Sequence, residues 1–313
     1  MRDQDITCSM MKTTILSLMT VLLASFATAA SDLPPTFRPG STNGEFTFDT
    51  GVLRGKLRAD GKSIGLSSVV HIPSGTLLDR SMGLFSHYRL FTKGERYGGG
   101  VWDLDSRANL RADGAVEVTV PSTPDRPFEL RMVYRWQDAD ALDLETGVKA
   151  ERDLPSFEVF LASYFAPQFT NSLVFTAAKP EPKFVNAERS AANWQMFVRD
   201  DAAVTLIKDG RWAFPPNPVE WTVCGRVEQP LAIRRAPELK LTALLMAPPG
   251  DCFAIATPYE TEPHYSTYLS LFGRDIAAGE LPRVHTRLVI RSNLSDAEAV
   301  QLHTRFLKDL PGN

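Results

Sequence analysis

The stretch FELRMVYRW at residues 128–136, followed after a short turn by ALDLETGVK at 141–149, decides the class of fold. Phe128, Leu130, Met132, Tyr134 and Trp136 fall on one face of an extended chain, against Glu129, Arg131 and Arg135 on the other. That is the period of two of a strand with one buried face. Leu142, Leu144, Thr146 and Val148 repeat it, with Asp143, Glu145 and Lys149 opposite. Residues 157–165 are apolar on nearly both faces, as expected of a strand sandwiched between layers.

The same pattern extends outward in both directions. Leu53, Gly55 and Leu57 alternate with Arg54, Lys56 and Arg58, and the turn residues Ala59-Asp60-Gly61-Lys62 lead into a second run at 64–72, a hairpin. The basic stripe Arg54, Lys56, Arg58 could attract uronic or sulfated sugars, but better suits an edge strand guarded against aggregation. Arg111-Ala112-Asp113-Gly114 repeats the turn chemistry before Val116, Val118 and Val120. Further strands are expected at 173–176, 194–199, 204–208, 219–223, 231–234, 239–246, 253–256, 268–272 and 286–291, about fifteen in all. Helical signals are confined to a short turn near 186–192 and to the end of the chain. There Ser295-Asp296-Ala297-Glu298 reads as a capping box, and Ala299, Leu302, Phe306 and Leu310 recur at helical spacing until Pro311. The expected fold is all-β: a large antiparallel β-sandwich or supersandwich with one short C-terminal helix, formed as a single domain by residues 45–313. Residues 30–44, rich in Pro, Ser, Thr and Gly, form an extended lead-in.

Composition narrows the partners. The 313 residues are 43% hydrophobic and 23% charged, and 34 basic against 37 acidic side chains leave a formal charge of −3. No field of one sign is available to hold nucleic acid. The apolar run at 15–26 follows Lys12 and precedes Ala27-Thr28-Ala29-Ala30, the small-residue pattern of a cleaved signal peptide spanning 1–29. The run is shorter than the roughly 20 residues a spanning helix needs. The expectation is therefore a secreted or periplasmic protein with no membrane span after cleavage. Of 3 cysteines, Cys8 belongs to the leader. Cys224 and Cys252 either form a disulfide or remain two thiols on separate strands.

Several chemistries lack their motifs. Gly98-Gly99-Gly100 is followed by Val101-Trp102-Asp103 rather than by a phosphate-binding helix, and no G-x-S-x-G nucleophile elbow is present. No two of His71, His87, His264, His285 and His303 stand at a metal-ligand spacing. The segment from Asp103 to Asn109 begins like a calcium loop, but its fifth position is Arg107 and its sixth lacks glycine. Neither a metal nor a cofactor is expected.

Two segments concentrate the remaining chemistry. The first, from Leu84 to Asp103, brings His87, Arg89, Arg96, Tyr97 and Trp102 together with glycines. Aromatic faces stack on the C–H surfaces of sugars while guanidiniums and carboxylates bind hydroxyls, so this composition suits a carbohydrate cleft. Its structural alternative is core aromatics with charges on the outer face. The second runs from Tyr259 through Glu260, Glu262, His264 and Tyr268 to Arg274 and Asp275. A histidine beside carboxylates can act as general acid or base near neutral pH, or can simply close a strand end. The aromatic, proline-rich segment 212–218 could wall a cleft or pack. Asn293-Leu294-Ser295 matches a glycosylation sequon, though Ser295 is better explained as a helix cap.

Taken with the strand order, Ser86-His87-Tyr88 in the first half and Leu271-Phe272-Gly273-Arg274-Asp275 leading to Arg287-Leu288-Val289-Ile290 near the end give a chain that resembles the galactose mutarotase-like β-supersandwich group of secreted bacterial proteins over residues 45–292. The resemblance implies a sugar-binding scaffold. It also implies a histidine general acid and a glutamate general base that open and reclose a sugar ring. His87 matches part of that group's N-H-x-Y-F segment, with Tyr88 one place early and serine for asparagine, and no glutamate occupies a recognisable counterpart of the base. The expected function is carbohydrate binding, extending to epimerase-like or polysaccharide-cleaving (lyase or hydrolase) chemistry in which His87 and His264 are the proton-transfer groups. Arg89, Arg96, Tyr97, Trp102, Arg274 and Asp275 would orient the sugar. A non-catalytic envelope or protein-binding β-sandwich module is the alternative.

Overall fold

The computed structural model describes residues 34–59 and 63–310. The leader at 1–29 with Cys8, the first residues of the lead-in, the hairpin-turn positions 60–62 and Pro311 lie outside the described residues. Two β-sheets face each other. The front sheet runs, in spatial order, through Arg38–Pro39, Glu45–Asp49, Leu53–Arg58, Ile64–His71, Leu84–Thr92, Leu154–Tyr164, Ser266–Ile276, Cys252–Pro258 and Trp194–Val198. The back sheet runs through Arg107–Leu110, Val116–Val120, Phe128–Asp138, Ala141–Ala150, Arg283–Ser292 and Leu241–Met246, and ends on Asn171–Thr176 and Lys183–Asn186. The long strand Thr222–Ala236 belongs to both. Its first half pairs in parallel with Trp194–Val198, and its second half pairs antiparallel with Leu241–Met246 and Asn171–Thr176. A strand that changes sheets makes a corner of the sandwich and joins both layers into one large, nearly closed sheet.

The deciding stretch behaves as its period demands. Phe128, Leu130, Met132, Tyr134 and Trp136 are buried between the sheets, where they meet Leu57, Leu66, Leu90, Val159, Leu161 and Leu269 of the front layer. Their neighbours Arg131 and Arg135 stay on the outer face, where Arg131 pairs across strands with Glu117 at 2.6 Å and Glu145 at 3.3 Å. Such exposed pairs set register more than they add stability. The turn at Arg111 closes as expected, with Gly114 at φ 77° donating to the Arg111 carbonyl at 3.0 Å. Gly83, at φ 76°, opens the strand Leu84–Thr92 where a Cβ would lie 1.9 Å from the Leu66 carbonyl oxygen.

A second apolar layer covers the outer side of each sheet. Helix α2 (Asp296–Asp309) lays Ala299 and Phe306 on Leu231, Ile233, Leu244 and Val289 of the back sheet. Its start is the expected capping box: the Ser295 hydroxyl accepts from the Glu298 amide, and the Glu298 carboxylate accepts from the Ser295 amide. Helix α1 (Asp201–Ile207) packs Ala203 and Ile207 beside Met196, Val198 and Phe253 of the front sheet. The expected strand at 204–208 is thus a helix, because Asp200 caps it by accepting from the Ala203 amide at 2.9 Å. The expected helical turn at 186–192 is instead the end of Lys183–Asn186 followed by a tight turn. Leu53–Arg58 is paired on both sides, so its basic stripe lies on an interior strand rather than an edge. No helix among the described residues is long and apolar enough to cross a membrane.

Of the two alternatives for Cys224 and Cys252, the structure has the two free thiols. Cys224 and Cys252 lie on strands separated by Trp194–Val198, which pairs with both. Two strand spacings are about 9.6 Å, beyond the roughly 7 Å limit for bridged Cα atoms. Burial pushes the Cys252 thiol up to about 12, so it stays protonated and unreactive.

His285 ties the back sheet to the loop before Cys252. Its amide donates to Asp251 Oδ2 at 2.7 Å, and its ring lies 3.5 Å from Asp251 and 3.6 Å from Glu145. Hydrogen bonding to Asp251, then to Glu145, raises its pKa from 6.5 to about 9. A histidine raised in the folded state contributes stability that is complete below 6.5 and lost as pH climbs through about 9. The urea midpoint should therefore fall between these limits, and His285→Gln should flatten that fall. An equal slope in both proteins would contradict the assignment.

Candidate functional site

An irregular register builds the site. His87 stands opposite Leu161 and Arg89 opposite Phe160, so Tyr88 is an extra residue between two registered pairs. Such a bulge breaks the alternation of faces. His87 points between the sheets, whereas both Tyr88 and Arg89 reach the outer side of the front sheet.

There they line a cavity of about 510 Å³. Its floor is Phe160 and Tyr164 from Leu154–Tyr164 and Tyr268 from Ser266–Ile276. Tyr268 stacks on Phe160 at 4.6 Å, and Trp212 meets Phe160 edge-on at 4.7 Å. Trp212, Asn217 and Trp221 form one wall, with Trp194 and His264 at the other side. Trp194 is 5.5 Å from the His264 ring and 5.6 Å from Trp221. No Asp or Glu occurs among the described lining residues.

Three arginines hold the wall segment 209–221 in place. The buried Arg211 donates to Glu158 Oε2 at 2.9 Å and to Asp209 Oδ2 at 2.8 Å. Arg89 Nη2 donates to the Asn217 carbonyl at 2.7 Å, and Arg96 Nη1 to those of Phe214 and Pro216. The wall has little regular structure of its own, so these bonds are what give it a fixed shape. Burial is the main cause raising the Glu158 pKa, with the Arg211 charge opposing it. Burial likewise raises Tyr164, and pushes Tyr268 up to about 12, so both phenols keep their protons at neutral pH.

The remaining expected site residues are dispersed. His87 is fully buried, with Tyr134 Oη at 3.2 Å on Nδ1 and Thr146 Oγ1 at 2.9 Å on Nε2. Burial pushes its pKa down to about 3, which leaves a neutral ring with both nitrogens occupied. His87 and His264 therefore lie on opposite faces of the front sheet and form no acid–base pair. Tyr97 is buried in the inter-sheet core, edge-on to Phe128 at 5.0 Å, with its hydroxyl on Thr92 and Glu95. Trp102 is outside the lining and backs Tyr88, stacked at 4.8 Å. Arg274 and Asp275 are exposed at the far end of Ser266–Ile276, where Asp275 accepts from the Ser156 amide. Arg96 is a fastener of the wall. His264 and Arg89 alone of the expected residues line the cavity.

No family model and no curated protein matches the sequence. The chain is similar to sugar 1-epimerase structures. A putative aldose 1-epimerase from Escherichia coli is 12% identical, over 79% of this chain and 98% of that one, with a TM-score of 0.43. A galactose 1-epimerase from Lactobacillus acidophilus is 10% identical, over 84% and 100%, with a TM-score of 0.48. A heparan sulfate lyase from Pedobacter heparinus is 8% identical, over 85% of this chain but 38% of the lyase, with a TM-score of 0.48. The reading of the site rests on its own residues.

Trp212, Asn217 and Pro218 come from the segment 212–218 expected to wall a cleft or pack, whereas Phe160, Tyr164, Trp194 and Trp221 were not foreseen in the lining. Phe160 and Tyr164 stand four residues apart in a run read as apolar on nearly both faces, and that spacing of rings on one strand face was the available signal. Trp194 and Trp221 carry no local signal, because only the tertiary fold brings them together.

Proposed function

We propose that the protein binds a carbohydrate in the cavity on the outer side of the front sheet. The observation that carries this reading is the arrangement of Tyr88, Tyr164, Trp194, Trp212, Trp221 and Tyr268 around about 510 Å³. That volume suits a small-molecule site, and indole and phenol faces pack on the C–H faces of sugar rings while N–H and O–H edges meet hydroxyls. The leader read at 1–29 supports a secreted or periplasmic setting for such a role.

One observation favours chemistry as well as binding. His264 Nδ1 lies 2.8 Å from Glu262 Oε1, an arrangement that places a proton on Nδ1 and leaves Nε2 as an acceptor at the cavity edge. The Tyr164 ring lies 6.5 Å away and holds a phenolic proton. His264 is the proton acceptor in this reading, and the absence of a carboxylate pair in the lining disfavours hydrolysis by two carboxylates.

A thermal-shift screen of neutral, uronic and sulfated glycans tests the proposal, because a ligand bound by the folded state alone raises the melting temperature. At least one class should shift the wild type. Trp221→Ala should weaken that ligand about tenfold or more, the scale expected for truncating an aromatic anchor. His264→Ala should retain binding and lose any turnover. No shift across the panel would refute the binding site.

A further inference from the structure

We infer that the saccharide is acidic, with its anionic group seated at Arg89. The inference rests on the carbohydrate reading above and names the class of sugar. Among the described lining residues, every buried side-chain polar atom without a hydrogen-bond partner is a donor: Arg89 Nε and Nη1, Trp212 Nε1 and Trp221 Nε1. A neutral sugar offers hydroxyls that donate as readily as they accept, whereas a carboxylate or sulfate offers acceptors only.

The charges around the cavity point the same way. Arg89 is 3% exposed, and its guanidinium meets two oxygens, the Asn217 carbonyl and the Tyr88 hydroxyl, neither of them a carboxylate. It lies over the rings of Tyr88 and Trp212 at 4.7 and 5.2 Å, contacts that favour the cation without neutralising it. The carboxylates nearby have other partners. Glu158 and Asp209 bind Arg211, and Glu262 accepts a hydrogen bond from His264 Nδ1 at 2.8 Å. Arg96 adds a second positive charge close enough for the two guanidiniums to repel, and burial together with that repulsion lowers its pKa, with Asp103 opposing. A buried cation without its own anion is costly, and a ligand that brings one relieves that cost. The planar fork of a guanidinium also suits two-point capture of a carboxylate or sulfate.

Calorimetric titration of the full chain with uronic oligosaccharides, sulfated oligosaccharides and their neutral counterparts of the same linkage tests this. The acidic sugar should bind at least tenfold more tightly than the neutral one, and whichever anion wins identifies the group. That advantage should shrink as sodium chloride rises from 20 to 500 mM, since screening weakens charge attraction (the Debye length shortens from ~20 Å to ~4 Å), while neutral-sugar affinity should not move. Arg89→Met should erase the preference. Because Arg89 also holds Asn217, the salt series on the wild type decides independently of that variant's folding. Equal or tighter binding of the neutral sugar, still weakened by Trp221→Ala, would overturn the acidic assignment and leave the carbohydrate site standing. No binding by any of them would overturn both.

Discussion

Replacing Arg211 with methionine should lower the free energy of unfolding by about 3–5 kcal/mol, the range for breaking a buried ion pair on one side. Arg211 and Glu158 are among the most deeply buried charged side chains of the molecule, 0% and 1% exposed, and their nitrogen and oxygen are 2.9 Å apart. Removing the cation leaves the carboxylate in an apolar layer with Phe91 and Phe160, so the carboxyl stays protonated to higher pH than it already does. An acid raised in the folded state binds more protons there than in the unfolded chain. The variant should therefore lose further stability as pH rises above the ordinary carboxyl value of 4.5. The double replacement Arg211→Met with Glu158→Leu should recover part of the loss, since the fully buried carboxylate is removed with its cation and only the more exposed Asp209 loses its partner. Urea denaturation at two pH values reads both effects, and a single variant within 1 kcal/mol of the wild type would contradict the role given to this pair.

Trp212→Ala should cost about 3–5 kcal/mol by the same measurement, the usual range for truncating a buried aromatic. Trp212 is 4% exposed and touches Phe91, Phe160 and Trp221 at ring distances of 5.0, 4.7 and 5.4 Å. It is also one of the two rings beneath the Arg89 guanidinium. Its loss opens the wall, so glycan binding should disappear under conditions where the variant is still folded. A stable variant with unchanged binding would remove the wall from the account.

How far the sequence speaks for itself varies with the range of the interaction. The alternation at 128–149 is local, and each of its residues lies on the face its position demands. Ser295 and Glu298 are three residues apart, and their reciprocal bonds begin the helix expected there. At 204–208 a local signal was misleading: Val204, Leu206 and Ile207 are good strand residues, but the Asp200 cap and the burial of Ala203 and Ile207 on one face prevail. The bulge at Tyr88 is a different kind of failure. One inserted residue shifts which side chains face the core, so His87 passes from the expected site to the interior while Arg89 enters the cavity. Cys224 and Cys252 look pairable until the order of strands puts Trp194–Val198 between them. The cavity draws on five separate stretches of chain, and of the expected site residues only Arg89 and His264 line it, beside part of the 212–218 segment expected to wall a cleft or pack.

The central claim is that a sugar occupies the space between Trp194, Trp212 and Trp221. Nitrogen-15 NMR of the indole N–H groups tests it most directly, because the protein has 5 tryptophans and the fold divides them. Trp136 is buried in the inter-sheet core and serves as the internal control. Titration with an acidic oligosaccharide should move the Trp212 and Trp221 resonances, whose rings line the cavity, and leave in place that of Trp136, whose N–H likewise has no acceptor in the protein but lies between the sheets. Resonances of Trp212 and Trp221 that stay fixed at saturating glycan, or that move no more than Trp136, would contradict the account.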